Sequence, residues 1–265
     1  MRICSIASGS SGNCIYIGDG RHHILIDAGI SRKRIVEGLE ALGVLPEELD
    51  GILVTHEHSD HIKGIPMMEK MFATPVFATG GTLAEICEKD KNGDVRSECL
   101  HQIYPEESFR IGDFHITPFP MSHDAAEPVC YTVESHGKKL GMATDLGIYE
   151  RHTVEYLGGS DCLILEANHD ISMLEAGKYP YALKRRILSS KGHLSNEEAG
   201  ELLSKLYHRK LKYVFLAHLS KENNYPKLAY EAVKCELWER LGMTALPFSM
   251  FVAERDKPSA AVVLD

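Results

Sequence analysis

Ile52-Leu53-Val54-Thr55-His56-Glu57-His58-Ser59-Asp60-His61 is the stretch on which the reading of this chain turns. Its first four residues are aliphatic or β-branched, the composition of a buried strand. The run then breaks into three His and one Asp within residues 56–61. Residues two apart in an extended loop face the same way, so His56, His58 and Asp60 point to one side, and His61, opening a helix, approaches from another. Imidazoles and a carboxylate together suit zinc, manganese or iron. The same letters would also be at ease in water as a polar loop; the apolar strand in front favours a strand-end metal site.

Working outward, short β-like runs at 2–7, 14–18 and 23–27 are separated by Gly and Asp, as tight turns require. Ser31 reads as the N-cap of a helix through Leu42, with Gly43 to end it. The spacing then predicts a strand over 51–55, a helix over 61–71, a strand over 75–78 and a helix over 82–89, followed by strands over 114–119, 129–134 and 139–143. The second half alternates: strand 161–166, helices 181–188 and 196–207, strand 213–217, helix 227–241 and strand 248–253. Ser195 with Glu198 forms a capping-box pattern that marks one helix start. Strands interleaved with helices and no long linker predict one α/β domain over 1–265.

The 265 residues suffice to bury a full core. A formal charge of −9 argues against a broadly nucleic-acid-coating surface, but not against a local basic patch or a metal site whose cations offset the acidity. No apolar run is long enough to span a bilayer, so no membrane association is expected. Met1-Arg2-Ile3-Cys4-Ser5 has no secretory character. The seven cysteines are scattered without a Cys-x-x-Cys pair, which points to a reducing cytoplasm.

Other residues extend the chemistry. Ser10, Ser11 and Asn13 lie in the small-residue loop 8–13, which reads either as a phosphate cradle or as a plain hairpin turn. Lys184 and Arg185, in Lys178-Tyr179-Pro180-Tyr181-Ala182-Leu183-Lys184-Arg185-Arg186, read equally as substrate contacts or as a solvated helix face. Lys221 and Asn223 follow the buried strand 213–217, and Ser195 and Asn196 open a helix; all four are candidate substrate contacts.

His56-x-His58-x-Asp60-His61 resembles the signature of the metallo-β-lactamase superfamily, and the resemblance extends over nearly the whole chain. It implies a four-layer αββα sandwich. Asp27 matches the family Asp that supports the metal loop, and His123, Asp145 and His218 match its later ligands. The resemblance thus implies two divalent ions, zinc or manganese with iron also acceptable. His56, His58 and His123 would hold one ion, Asp60, His61 and His218 the other, and Asp145 would bridge. Asp60 would also orient the attacking hydroxide. Glu166, in Leu165-Glu166-Ala167-Asn168, and His193, in Gly192-His193-Leu194-Ser195, resemble the pair that contacts phosphate and supplies the leaving-group proton; the alternative is a sheet-end surface charge and a loop residue beside the Ser195 cap, and motif order favours the pair.

Taken together the motifs are most similar to the YycJ/WalJ (VicX) branch. That implies a metal-dependent phosphodiesterase acting on nucleic acid, a 5′-to-3′ DNA exonuclease, whose grip comes from loops, the basic 184–186 stretch and a homodimer partner. Two alternatives are a small-molecule hydrolase, of cyclic phosphodiesters, thioesters or lactones, and a metal-loaded regulatory binding protein.

Overall fold

The computed structural model describes residues 1–265, which divide into two compact units. The first holds residues 1–120, 125–138 and 254–265, the second residues 121–124 and 139–253.

In the first unit β1 (Arg2–Ala7), β2 (Cys14–Gly18) and β3 (His23–Ile26) form an antiparallel meander. Ser31 caps α1 (Arg32–Ala41) by accepting the Arg34 N–H. The chain re-enters the sheet in parallel through β4 (Gly51–Leu53), with Ile26 opposite Leu53. Then come α2 (Ser59–Ile62), α3 (Ile65–Phe72), β5 (Val76–Thr79), α4 (Gly80–Lys89) and β6 (Leu100–Ile103). β4, β5 and β6 continue the parallel order, so their carboxyl ends lie at one edge. β7 (Phe109–Ile111), β8 (Phe114–Pro120) and β9 (Val129–Ser135) pair as an antiparallel set. Ile6, Leu25, Ile35, Leu39, Val54 and Met68 belong to one buried cluster. Gly38 of α1 brings the helix close to the sheet, because a Cβ there would stand 2.5 Å from Ile6 Cγ2.

The second unit is a parallel ladder: β10 (Lys138–Ala143), α5 (Arg151–Leu157), β11 (Cys162–Glu166), α6 (Ile171–Ala176), α7 (Tyr181–Ile187), α8 (Asn196–Leu206), β12 (Tyr213–Ala217), α9 (Pro226–Leu241) and β13 (Ser249–Val252). Ala143 sits opposite Leu165, and Glu166 opposite Ala217, so β10, β11 and β12 end side by side. The capping box at α8 is formed, with Ser195 Oγ accepting Glu198 N–H and Glu198 accepting Ser195 N–H. β14 (Val262–Val263) returns to the first unit and pairs with β1.

Two departures from the sequence reading have local causes. The helix expected over 61–71 is two helices, because Gly64 lies against the Ala28–Ile30 backbone: its N–H donates to Ala28 O at 2.7 Å, and a Cβ would meet Ile30 O at 2.5 Å. The strand expected through Thr55 stops at Leu53, because Thr55 N–H turns to a side chain, the Asp27 carboxylate. The short elements α5, α6, β6, β7 and β14 carry too few residues to show a period. No helix is long and apolar enough to cross a membrane.

Candidate metal centre

In the first unit the site begins at a carboxylate. Asp27 follows β3 in the left-handed region at φ 61°, is fully buried, and accepts from Thr55 N–H at 2.8 Å, from Thr55 Oγ1 at 3.0 and 3.1 Å, and from His61 Nδ1 at 2.7 Å. Taking the Nδ1–H of His61 leaves Nε2 as the lone-pair nitrogen, the arrangement of a metal-ligating histidine with its outer carboxylate. Asp60 Oδ2 lies 3.5 Å from that Nε2. The His56 and His61 rings are 4.1 Å apart, and those of His56 and His58 4.6 Å. His56 and His61 are fully buried; His58 and Asp60 are partly open.

The segment at 27–29 is stitched to this loop by backbone. Ala28 N–H donates to His61 O and Gly29 N–H to Asn13 O, both at 2.8 Å. A Cβ on Gly29 would lie 1.6 Å from Asp60 O, so no other residue fits there without moving the loop. Asn13 belongs to the same frame: its backbone N–H donates to Asp60 O, its Oδ1 accepts Gly9 N–H, and its Nδ2 lies 3.2 Å from His61 Nε2.

The second unit repeats the device. Glu166, at the end of β11 and fully buried, accepts Leu146 N–H at 2.8 Å and Leu194 N–H at 3.1 Å on Oε2. Its Oε1 lies 2.8 Å from His193 Nδ1 and 3.0 Å from His218 Nδ1. Burial pushes this carboxyl up, but the charges and hydrogen bonds of His193 and His218 outweigh it and hold the group below the usual carboxylate range. With Nδ1–H given to Glu166, His218 turns Nε2 toward Asp145 Oδ1, 3.3 Å away. His123 Nε2 is 4.0 Å from the same oxygen, and its Nδ1 is 3.2 Å from Gly192 O. His218 follows β12 directly, Thr144 alone separates Asp145 from β10, and like Asp27 both have positive φ, 59° for Asp145 and 55° for His218. A non-glycine residue held there costs about 1–3 kcal/mol, which the surrounding structure must offset.

The donor set suits a divalent cation in both units. In the second unit Asp145 and His218 offer ligand atoms beside the Glu166–His193 pair, the four groups lying within 4.8 Å of one another, and the first unit supplies imidazoles with a partly open carboxylate. A buried carboxylate that holds one nitrogen of an imidazole fixes which nitrogen is free to meet a cation, and both units are built this way.

The residues expected to touch substrate divide. Ser10, Ser11, Arg185 and Lys221 are exposed and Lys184 is partly so, with its Nζ on Glu175 O at 2.6 Å. Asn13, Ser195, Asn196 and Asn223 are buried; Ser195 caps α8, and the Asn196 amide pairs with that of Asn224 at 2.8 and 3.2 Å. Sequence reasoning did not reveal the Glu166–His218 bond, which joins positions 52 apart. Nor did it single out Thr55 or His169. His169 is buried, with neither ring nitrogen in a hydrogen bond. Burial pulls its imidazole down to about 4, against the opposing charge of Glu166.

A family model described as a β-lactamase superfamily domain matches residues 22–219. The exodeoxyribonuclease YycJ of Bacillus anthracis is 36% identical over 235 residues, 89% of this chain and 88% of the relative. The exodeoxyribonuclease WalJ of Streptococcus pneumoniae D39 is 37% identical over 225 residues, 85% and 84% of the two chains. Among solved structures, the metallo-β-lactamase fold protein YhfI of Bacillus subtilis superposes with a TM-score of 0.70 at 16% identity, covering 98% of this chain and 99% of that one. Zinc-bound PqqB of Methylobacterium extorquens gives 0.74 at 16% identity and covers both chains fully. These likenesses show the αββα metallo-β-lactamase fold.

Two outcomes follow from this geometry. Asp27→Asn removes the charge and leaves one oxygen where two now serve Thr55 N–H and His61 Nδ1–H, so the His61 tautomer is no longer fixed and zinc affinity measured by chelator competition falls about 10–100-fold; unchanged affinity would remove Asp27 from the support of the loop. For His169 the depressed value sets the sign: between about pH 6.5 and 4 the unfolded chain binds a proton that the folded chain refuses, so stability present at neutral pH is lost as pH falls through that window. At about 1.4 kcal/mol per pH unit, His169→Gln should lose roughly 2 kcal/mol less than the wild type between pH 6.5 and 5 in urea unfolding; equal losses would contradict a buried neutral ring.

Proposed function

The chain belongs to the metallo-β-lactamase superfamily, on its YycJ/WalJ branch, and on that premise we propose that it is a metal-dependent exonuclease that shortens DNA from the 5′ end. The observation that carries the reading is the doubled relay: a buried carboxylate fixes an imidazole whose Nε2 faces a second carboxylate, Asp27–His61–Asp60 in one unit and Glu166–His218–Asp145 in the other. The substrate class comes from the relatives' names, over lengths that leave little of either chain unmatched.

The ligand assignment follows the family resemblance: His56, His58 and His123 for one divalent ion, Asp60, His61 and His218 for a second, and Asp145 for both. Zinc, manganese or iron bound there would lower the pKa of a bound water and draw charge from the phosphate oxygens. The protein's own groups supply the rest. Asp60, partly open, accepts the proton of the attacking water and so aligns its oxygen with phosphorus. Glu166 is a positioning residue: being fully buried, it acts through His193 and His218. With Nδ1 held by Glu166, His193 presents Nε2 on the far side of a ring that is 13% exposed, placed to give a proton to the leaving oxygen. All seven cysteines are free thiols, in keeping with a cytoplasmic protein.

Incubated with manganese, the wild type should degrade a 5′-phosphorylated, end-labelled DNA duplex, and Asp145→Ala should neither degrade it nor retain a full metal complement. Absence of cleavage by fully metallated wild type would sink the exonuclease reading. His193→Ala should keep its metals yet lose about 10²–10⁴ in turnover of DNA, whose alkoxide leaving group needs a proton; undiminished turnover would end the proton-donor role.

A further inference from the structure

A groove of about 490 Å³ opens on the first unit beside the 56–61 loop. Ile62 and Ile86, buried, and Pro66, half-buried, form an apolar floor, while Lys63, Lys89 and Lys91 are exposed at its rim. The groove reaches Ser59, the residue before Asp60. It is tied to the metal loop directly, since Lys89 Nζ donates to Glu57 O at 3.1 Å.

The charges around the groove are not interchangeable. Lys89 is held between Glu57 O and the Glu85 carboxylate, 3.3 Å away. Asp94, on the same rim, is matched by Lys70 at 2.7 Å, and Asp90 is engaged by Val95 N–H at 2.7 Å. Lys63 and Lys91 have neither an ion pair nor a side-chain hydrogen bond. On a chain of net charge −9, two uncommitted ammonium groups over an apolar floor stand out against the general field. The basic stretch of α7 is more heavily committed: Arg186 makes a two-pronged pair with Asp124, and Lys184 is on Glu175 O.

A ligand for such a groove carries anionic groups for the rim and an apolar body for the floor. A DNA strand has both, phosphates spaced along its edge and sugar and base faces between them. We propose that this groove is a track for the phosphodiester backbone of the substrate, with Lys63 and Lys91 each contacting a phosphate and Ser59 marking the end nearest the metal loop. The proposal rests on the exonuclease reading and adds to it where on the first unit the strand lies.

The test is equilibrium binding by manganese-loaded protein of a fluorescent, 5′-phosphorylated duplex with a cleavage-resistant phosphorothioate backbone, followed by anisotropy over a range of NaCl. Each lost phosphate contact removes about 0.9 from the slope of log K against log salt, so Lys63→Gln/Lys91→Gln should flatten it by about 1.8 and weaken binding at low salt. Lys33→Gln/Lys257→Gln, at exposed positions outside the groove, removes the same charge and should leave the slope at its wild-type value. An unchanged slope in the groove variant, or an equal loss in both variants, overturns the track and leaves the exonuclease reading standing so long as the wild type binds and degrades DNA. A wild type that does neither overturns both.

Discussion

A carboxylate sealed from water at the end of a strand is the constraint on which the first half of the candidate centre depends. Asp27 has no solvent to stabilise its charge, so the protein must supply donors, and it supplies the Thr55 amide, the Thr55 hydroxyl and His61 Nδ1. Those same bonds end β4 at Leu53, start the ligand loop and orient the His61 ring. Gly29 and Gly64 then follow as steric necessities, because the chain that carries Asp27 must pass within van der Waals reach of Asp60 and the α2–α3 break.

The second unit reaches the same result from different residues. Glu166 has two amide donors on one oxygen and two imidazoles on the other, so a single buried side chain sets both His218 and the neighbouring His193. Asp145 and His218, like Asp27, sit within two residues of a strand's end in a backbone conformation that most non-glycine residues avoid. Such conformations persist only where packing over-determines them, and here they turn the side chains out of the sheet and into the site.

Electrostatics separates the centre from its surroundings. The polar groups near the ligands are mostly spent on one another: Asn13 on the Asp60 loop, Asn168 on His218, and Asn196 and Asn224 together. Among the exposed basic groups, engagement by a neighbour does not follow density in the sequence. Lys184 and Arg186 lie in the most basic run yet are tied down, whereas Lys63 and Lys91, outside that run, are not.

By itself the sequence determined the order of the longer strands and helices, the capped starts of α1 and α8, the His56–His61 motif and, through family resemblance, the choice of Asp27, His123, Asp145 and His218 as candidates. These are written in short-range patterns: apolar periods, caps and ligand spacing act over a few residues, so they survive in a linear reading. Only the tertiary structure decided that Glu166 serves His218 as well as His193, that Thr55 anchors the loop, that the 61–71 helix breaks at Gly64, that Asn13, Ser195 and Asn196 are bonded into the frame, and that Asn223 is buried with its side-chain amide unpaired. The physical reason is distance along the chain. Which donor meets a buried carboxylate, and which lysine finds a carboxylate partner, are settled by residues tens of positions away whose arrival depends on the register of the whole sheet.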